Sequence, residues 1–174
     1  MNQQFTKITL LGYMGSGKST VAQILASKLD LEALDLDDYI TAKEGLSIPE
    51  IFASKGEIYF RKIENKYLGE LLNSERSFVL ALGGGTPCYA DNMEQILEKS
   101  ESFYLKASIK TLFQRLVGEK DHRPMITSLS NDQLTEFIAK HLFERRNYYE
   151  RAHTTIVIDD KSPEKIAKEI DHSR

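Results

Sequence analysis

Short, almost continuous apolar runs alternate with stretches of helical periodicity along the whole chain. Thr6–Leu11, Leu31–Leu36, Phe78–Leu82, Ser102–Leu105 and Thr155–Ile158 read as strands. Helices are predicted near Ser19–Leu29, Asp38–Lys43, Ile48–Ser54, Ile58–Leu72, Asn92–Glu98, Ile109–Val117 and Leu134–Tyr149, with a last one from Pro163. In the first of these, Val21, Ile24, Leu25 and Leu29 recur at the spacing of one helix face. Strands that are apolar throughout are buried on both faces, so the pattern implies an α/β fold with a parallel sheet covered by helices. Ligands of such a sheet gather at the carboxyl ends of its strands. One segment breaks the regularity. Gly118 to Asn131 is polar and charged, carries Pro124, and is longer than the usual connection, which marks it as a candidate lid.

At 174 residues the chain is expected to form one domain. A net charge of −3 gives no cationic coat for nucleic acid or a membrane surface, so each basic residue has to be read singly. Cys88 is the only cysteine, which excludes an internal disulfide and a cysteine-based metal cluster. No signal peptide is legible and no apolar run approaches the ~18 residues of a membrane helix, so the expected compartment is the cytoplasm.

Gly12-Tyr13-Met14-Gly15-Ser16-Gly17-Lys18-Ser19 fits G-x-x-x-x-G-K-[ST], between the first strand and the first helix. Glycines here let successive amides turn inward around an anion, at the positive end of the helix dipole. Lys18 supplies a mobile cation for the β- and γ-phosphates, and the Ser19 hydroxyl can ligate Mg²⁺. Gly15, Ser16, Gly17, Lys18, Ser19 and Thr20 are therefore the expected nucleotide-binding set.

The second strand runs into Asp35-Leu36-Asp37-Asp38. Residues two apart on a strand point the same way, so Asp35 and Asp37 are expected to face one site. One carboxylate can hold Mg²⁺ through water while the other binds a hydroxyl and takes its proton; Asp38 reads as the N-cap of the next helix. Ser47 is a candidate cap for a short helix that ends at Gly56. Glu57, Arg61 and Glu64 then share a helix face. They are either an exposed charge ladder or a device in which Glu64 aims Arg61 at a substrate anion, with Phe52 and Phe60 as an apolar wall. Gly83-Gly84-Gly85 follows the third strand and lets backbone approach a ligand closely. Arg115, Arg123 in the lid, and Arg145 with Tyr149 one turn on complete the set; Arg146 and Arg151 read as solvated charges.

Together these segments resemble the shikimate kinase family, from Ile8 to the end of the chain. The resemblance is carried by GYMGSGKS, DLDD, SIPEIFASKGEIYFRKIE, LALGGG, RPM in the lid and RRNYY on the late helix. It implies a three-layer P-loop kinase fold with a five-stranded parallel sheet in the order 2-3-1-4-5, a substrate-binding segment about 37–64 and a lid about 118–131. It implies ATP and Mg²⁺ as cofactors, shikimate as the acceptor, a monomer, and a step on the route to chorismate and aromatic amino acids.

By the same resemblance, Lys18 is the phosphate-loop lysine, Ser19 and Asp35 the Mg²⁺ pair, with Asp35 acting through water. Asp37 holds the acceptor hydroxyls and is the proposed base. Arg61 and Arg145 clamp the carboxylate, Gly83, Gly84 and Gly85 run along the substrate, Arg123 faces the phosphates, and Arg115 stacks on adenine. LVGEKDHRPM follows no fixed family pattern, and RRNYY offers two adjacent arginines, of which spacing to Tyr149 favours Arg145. Two rival readings are a kinase for another small hydroxylated acid, such as gluconate, and a catalytically silent nucleotide-binding module.

Overall fold

A computed structural model describes residues 5–174. Five strands form one parallel sheet in the order β2-β3-β1-β4-β5. They are β1 (Lys7–Leu11), β2 (Glu32–Asp35), β3 (Phe78–Ala81), β4 (Glu101–Lys106) and β5 (Thr154–Val157). Ile8 and Leu10 of β1 lie in register with Val79 and Ala81 of β3 on one side, and with Glu101 and Phe103 of β4 on the other. Ile8, Leu10, Leu11 and all four residues of β3 are buried, so both faces of the central strands are covered, as unbroken apolar runs require.

The helices are α1 (Lys18–Leu29), α2 (Leu36–Glu44), α3 (Ile48–Leu72), α4 (Asn92–Lys99), α5 (Ile109–Val117), α6 (Asn131–Tyr149) and α7 (Pro163–Ser173). Val21, Ala22, Leu25 and Ala26 of α1 go into the core, and α1 packs on α7 and over β2 and β3. α2 packs on α3, and α5 on α6. Among the described residues no helix is long and apolar enough to cross a membrane.

The elements follow the hydropathy pattern closely, with three differences. First, β2 stops at Asp35 and α2 begins at Leu36, so Asp35 and Asp37 are not two positions on one strand face. The Asp35 carboxylate accepts from the amides of Asp37 and Asp38, making Asp35, and not Asp38, the N-cap. Two otherwise unpartnered amides are satisfied by that one side chain, which turns the chain two residues early.

Second, the two helices expected at Ile48–Ser54 and Ile58–Leu72 run on as α3 with a kink at Gly56, whose φ of 83° and ψ of 172° suit glycine alone. A reciprocal Ser47–Glu50 capping box starts the helix. Third, α6 starts at Asn131 because Ser130 and Gln133 form a second capping box. The candidate lid before it is folded: it contains a short 3₁₀ turn at Lys120–His122, Thr127 donates to the Lys120 and Arg123 carbonyls, and Ile126 is fully buried.

Candidate active site

The carboxyl ends of β1, β2 and β3 open onto one region, and each delivers a loop to it. After β1 the backbone turns through Gly12 to Gly17, and Gly17, at φ 85°, caps α1 without any side-chain hydrogen bond. The first amides of α1 are thus left without a side-chain cap in a helix with no acid in its first turn, which is the arrangement that receives an anion. Lys18 is half-buried and curls back over the loop, its Nζ donating to the carbonyls of Gly12 at 2.7 Å and Tyr13 at 3.0 Å. Burial pushes its pKa down to about 8, against the pull of Asp37 and Asp35. Ser16 is buried beneath the loop; Thr20 is exposed on α1.

The Ser19 hydroxyl donates to Asp35 Oδ2 at 2.6 Å. Two hard oxygen donors at the edge of a phosphate cradle fit Mg²⁺, which takes one or two protein ligands and fills its shell with phosphate and water. No cluster of three or more acidic, His or Cys ligands exists among the described residues. Asp37, in the first turn of α2, points into the same cavity, of about 430 Å³. Its carboxyl is pushed up to about 6, first by burial and then by Asp35 and Glu64, with Lys18 opposing.

Gly15, Gly17, Lys18, Ser19, Thr20, Asp35, Asp37, Gly83, Gly84, Arg115 and Arg123 all border this cavity. Arg115 donates to the Gly15 carbonyl at 3.1 Å, so it flanks the phosphate loop. Arg123 is held by Glu119, one turn earlier, with its Nε 2.7 Å from Oε2. Arg123 already borders the cavity, on a segment whose Ile126 is buried in the core.

The run Gly83-Gly84-Gly85 organises the other half. A Cβ on Gly83 would lie 3.4 Å from Asp37 Oδ1, on Gly84 3.2 Å from Arg145 Nη1, and on Gly85 2.8 Å from Arg61 Nη2. The three glycines therefore form a strip along which a carboxylate and two guanidinium groups lie in order. Their missing side chains make room for protein groups as well as for backbone approach to a ligand.

Arg61 is fixed on every side. Its Nη1 donates to Glu64 at 2.8 Å, and its guanidinium carbon lies 3.9 Å from the Tyr89 ring centroid and 5.1 Å from that of Phe60. Glu64 is 1% exposed, and its other oxygen accepts from Thr86 Oγ1 at 2.8 Å. Arg61 Nε is buried with no hydrogen-bond partner among the described residues; Glu57 stays 3.7 Å away. Phe52 and Phe60 pair at 4.6 Å between centroids.

Arg145 points inward over the Tyr13 ring, and no carboxylate among the described residues forms an ion pair with it. Arg146 turns outward to Glu150, and Arg151 pairs with Glu94 at the surface. Tyr149 is fully buried and its hydroxyl donates to the Gly84 carbonyl. Thr86, Tyr89 and Glu119 were not singled out from the sequence. They meet their partners across the fold or through a single helical turn, and only the Glu119–Arg123 spacing was there to be read.

A family model described as shikimate kinase matches residues 14–173. The shikimate kinase of Flavobacterium psychrophilum is 49% identical over 166 residues, covering 94% of this chain and 96% of that protein. That of Flavobacterium johnsoniae is 48% identical over the same shares. Among solved structures, a shikimate kinase from Acinetobacter baumannii in complex with shikimate aligns with a TM-score of 0.88 at 33% identity, covering 98% of this chain and 93% of that one. One from Bacteroides thetaiotaomicron aligns at 0.86 and 30%, covering 97% of each chain. A phosphate loop, a carboxylate beside it and two inward arginines on a glycine strip thus coincide with a match over nearly the whole length, and the chain belongs to the shikimate kinase family.

Proposed function

We propose that this protein transfers the γ-phosphoryl group of ATP to the 3-hydroxyl of shikimate, giving shikimate 3-phosphate and ADP. The observation that carries this reading is the order of groups on the glycine strip. Asp37 stands next to the phosphate loop and the two arginines stand beyond it. An anionic triol whose carboxylate is held by Arg61 and Arg145 would present a hydroxyl to Asp37. Arg145 without a carboxylate partner and Arg61 with an unused buried Nε leave donors for an anionic ligand group, and a carboxylate is one that guanidinium binds with paired hydrogen bonds.

In this reading the amides of Gly15 to Thr20 and the Lys18 ammonium hold the phosphates, Arg115 lies on the adenine side, and Ser19 and Asp35 hold Mg²⁺, Asp35 through water. The metal, when bound, neutralises charge on the phosphate oxygens. The acceptor oxygen bonds to the γ-phosphorus, the bond to the β–γ bridging oxygen breaks, and the hydroxyl proton passes to Asp37. A carboxyl titrating at about 6 is mostly ionised at neutral pH, yet basic enough to accept that proton. In-line transfer through a loose transition state asks chiefly for positioning and charge neutralisation, which the arginines and Lys18 supply. Arg123 would move from Glu119 to the transferring group as the segment about 118–131 closes over the site and excludes water. Residues about 37–64 serve as the substrate-binding segment of one kinase domain acting in the cytoplasm as a monomer.

The test is ADP release by purified protein with ATP and Mg²⁺, run with shikimate, gluconate and no acceptor in parallel. Release that requires shikimate supports the proposal. Release that gluconate stimulates equally, or that no acid stimulates, refutes it.

A further inference from the structure

Helix α6 touches both loops of the site with one face. His141, Arg145 and Tyr149 follow at intervals of four residues, so they stack along that face. Tyr149 reaches the glycine strip through the Gly84 carbonyl. His141 reaches the phosphate loop, its Nδ1 3.0 Å from the hydroxyl of Tyr13. Arg145 lies between these two anchors, with its guanidinium carbon 5.7 Å from the Tyr13 ring centroid.

Tyr13 is 1% exposed, and packing alone would be met by phenylalanine. A buried phenol needs a hydrogen-bond partner, and the one it has is on the helix that carries Arg145. His141 is itself held from behind by Phe137, at 4.2 Å between ring centroids. Burial pushes the Tyr13 hydroxyl up to about 12 and, together with Arg145, pushes the His141 imidazole down, which favours the neutral form of each. A neutral imidazole can accept from the phenol at Nδ1 or donate to it, so the bond stands in either tautomer. The backbone of the same tyrosine serves the phosphate side, since its carbonyl accepts from Lys18.

We propose that Tyr13 and His141 are positioning residues for Arg145: the hydroxyl–imidazole bond fixes where α6 crosses the phosphate loop, and with it where the guanidinium meets the acceptor carboxylate. Neither touches the acceptor, and both act through the arginine. The inference rests on the acceptor reading above.

Calorimetric titration of shikimate into wild-type protein, Tyr13→Phe, Arg145→Ala and the double variant tests it, with far-UV circular dichroism as the folding control. Tyr13→Phe loses one hydrogen bond, so shikimate binding should weaken roughly two- to tenfold while affinity for a non-hydrolysable ATP analogue stays unchanged. On the Arg145→Ala background the same change should have no further effect, because the residue acted upon is gone. His141→Leu should reproduce the loss and His141→Asn, which keeps an acceptor near the Nδ1 position, should restore it; this pair decides the matter if Tyr13→Phe misfolds.

Unchanged shikimate affinity in Tyr13→Phe and His141→Leu would overturn the assignment. So would an equal loss with and without Arg145, or a loss that falls on the nucleotide instead. A wild-type protein that takes up no shikimate at all would overturn the acceptor reading, and this inference with it.

Discussion

Arg61 and Gly85 are in such close apposition that a methyl group on the glycine would sit 2.8 Å from Nη2 of the guanidinium. The arginine has little room to retreat, being held between the Tyr89 and Phe60 rings and tied to buried Glu64. Gly85→Ala should therefore displace the guanidinium and weaken shikimate binding by roughly ten- to a hundredfold, the worth of a charge-assisted contact. Nucleotide affinity should be unaffected. Gly84→Ala, at 3.2 Å from Arg145, should show a milder version. Titration calorimetry with each ligand separately would measure both, and intact shikimate affinity in Gly85→Ala would mean that Arg61 does not bind the acceptor.

Asp37 should cost the empty protein stability. Its pKa rises from 3.8 to about 6 on folding, so the folded state holds the proton more tightly than the unfolded chain. Between those values folding takes up a proton and stability falls as pH rises; above about 6 the whole cost is present. Asp37→Asn removes a half-buried charge and its repulsion with Asp35 and Glu64, which outweigh its attraction to Lys18. Ligand-free Asp37→Asn should thus be more stable than wild type by on the order of 1–3 kcal/mol at neutral pH, with the gain shrinking through the acid range and gone below the unfolded pKa. The same variant should lose turnover, since an amide accepts a hydrogen bond but no proton. Denaturant melts at neutral and acid pH check the sign; a variant less stable than wild type at neutral pH contradicts it.

Much of this site can be read directly from the chain, but unevenly. The phosphate loop is legible because its glycines, Lys18 and Ser19 are consecutive and each has one task. Strand and helix positions follow from apolar periodicity, whereas the strand order came from the family resemblance, since periodicity says nothing about which strands are neighbours. In D-L-D-D the pattern carries the strand past Asp35 and puts the cap at Asp38, whereas Asp35 both ends β2 and caps α2, a double role that local sequence does not announce. The S-x-x-Q box at Ser130 was a readable start signal for α6 that the apolar spacing obscured. Glu64 to Thr86, Arg61 to Tyr89 and Tyr13 to His141 are contacts made only by the tertiary fold, and no local pattern announces them.

Asp35 should prove separable from Asp37 by its response to metal. It shares Ser19 with the phosphate loop and caps α2. Asp35→Asn keeps the cap, for which asparagine is as good, and keeps an oxygen, but loses the charge that favours a divalent cation. Its stability should be near that of wild type, its Mg²⁺ requirement raised, and its activity partly restored by excess Mg²⁺. Asp37→Asn should gain nothing from added metal. Magnesium titrations at saturating shikimate would show rescue of the wrong variant if the two roles are exchanged.

Arg123 is expected to leave Glu119 during the reaction. If its contact strengthens in the transition state, Arg123→Ala should lower kcat on the order of a hundredfold while changing the KM for shikimate far less. Amide exchange over residues 119–130 should slow when nucleotide and shikimate are added together. Equal exchange in every ligand state, with normal turnover of Arg123→Ala, would show that the segment is no catalytic lid.

The position of the new phosphate ester is the most direct check on phosphoryl transfer to shikimate. Phosphorus–proton correlation NMR of the product made from ATP and shikimate should show the phosphorus coupled to the proton on C3, with one ADP formed per ester. An ester on another hydroxyl, or ADP accompanied only by inorganic phosphate, would contradict the assignment of Asp37, Arg61 and Arg145 to a single bound acceptor.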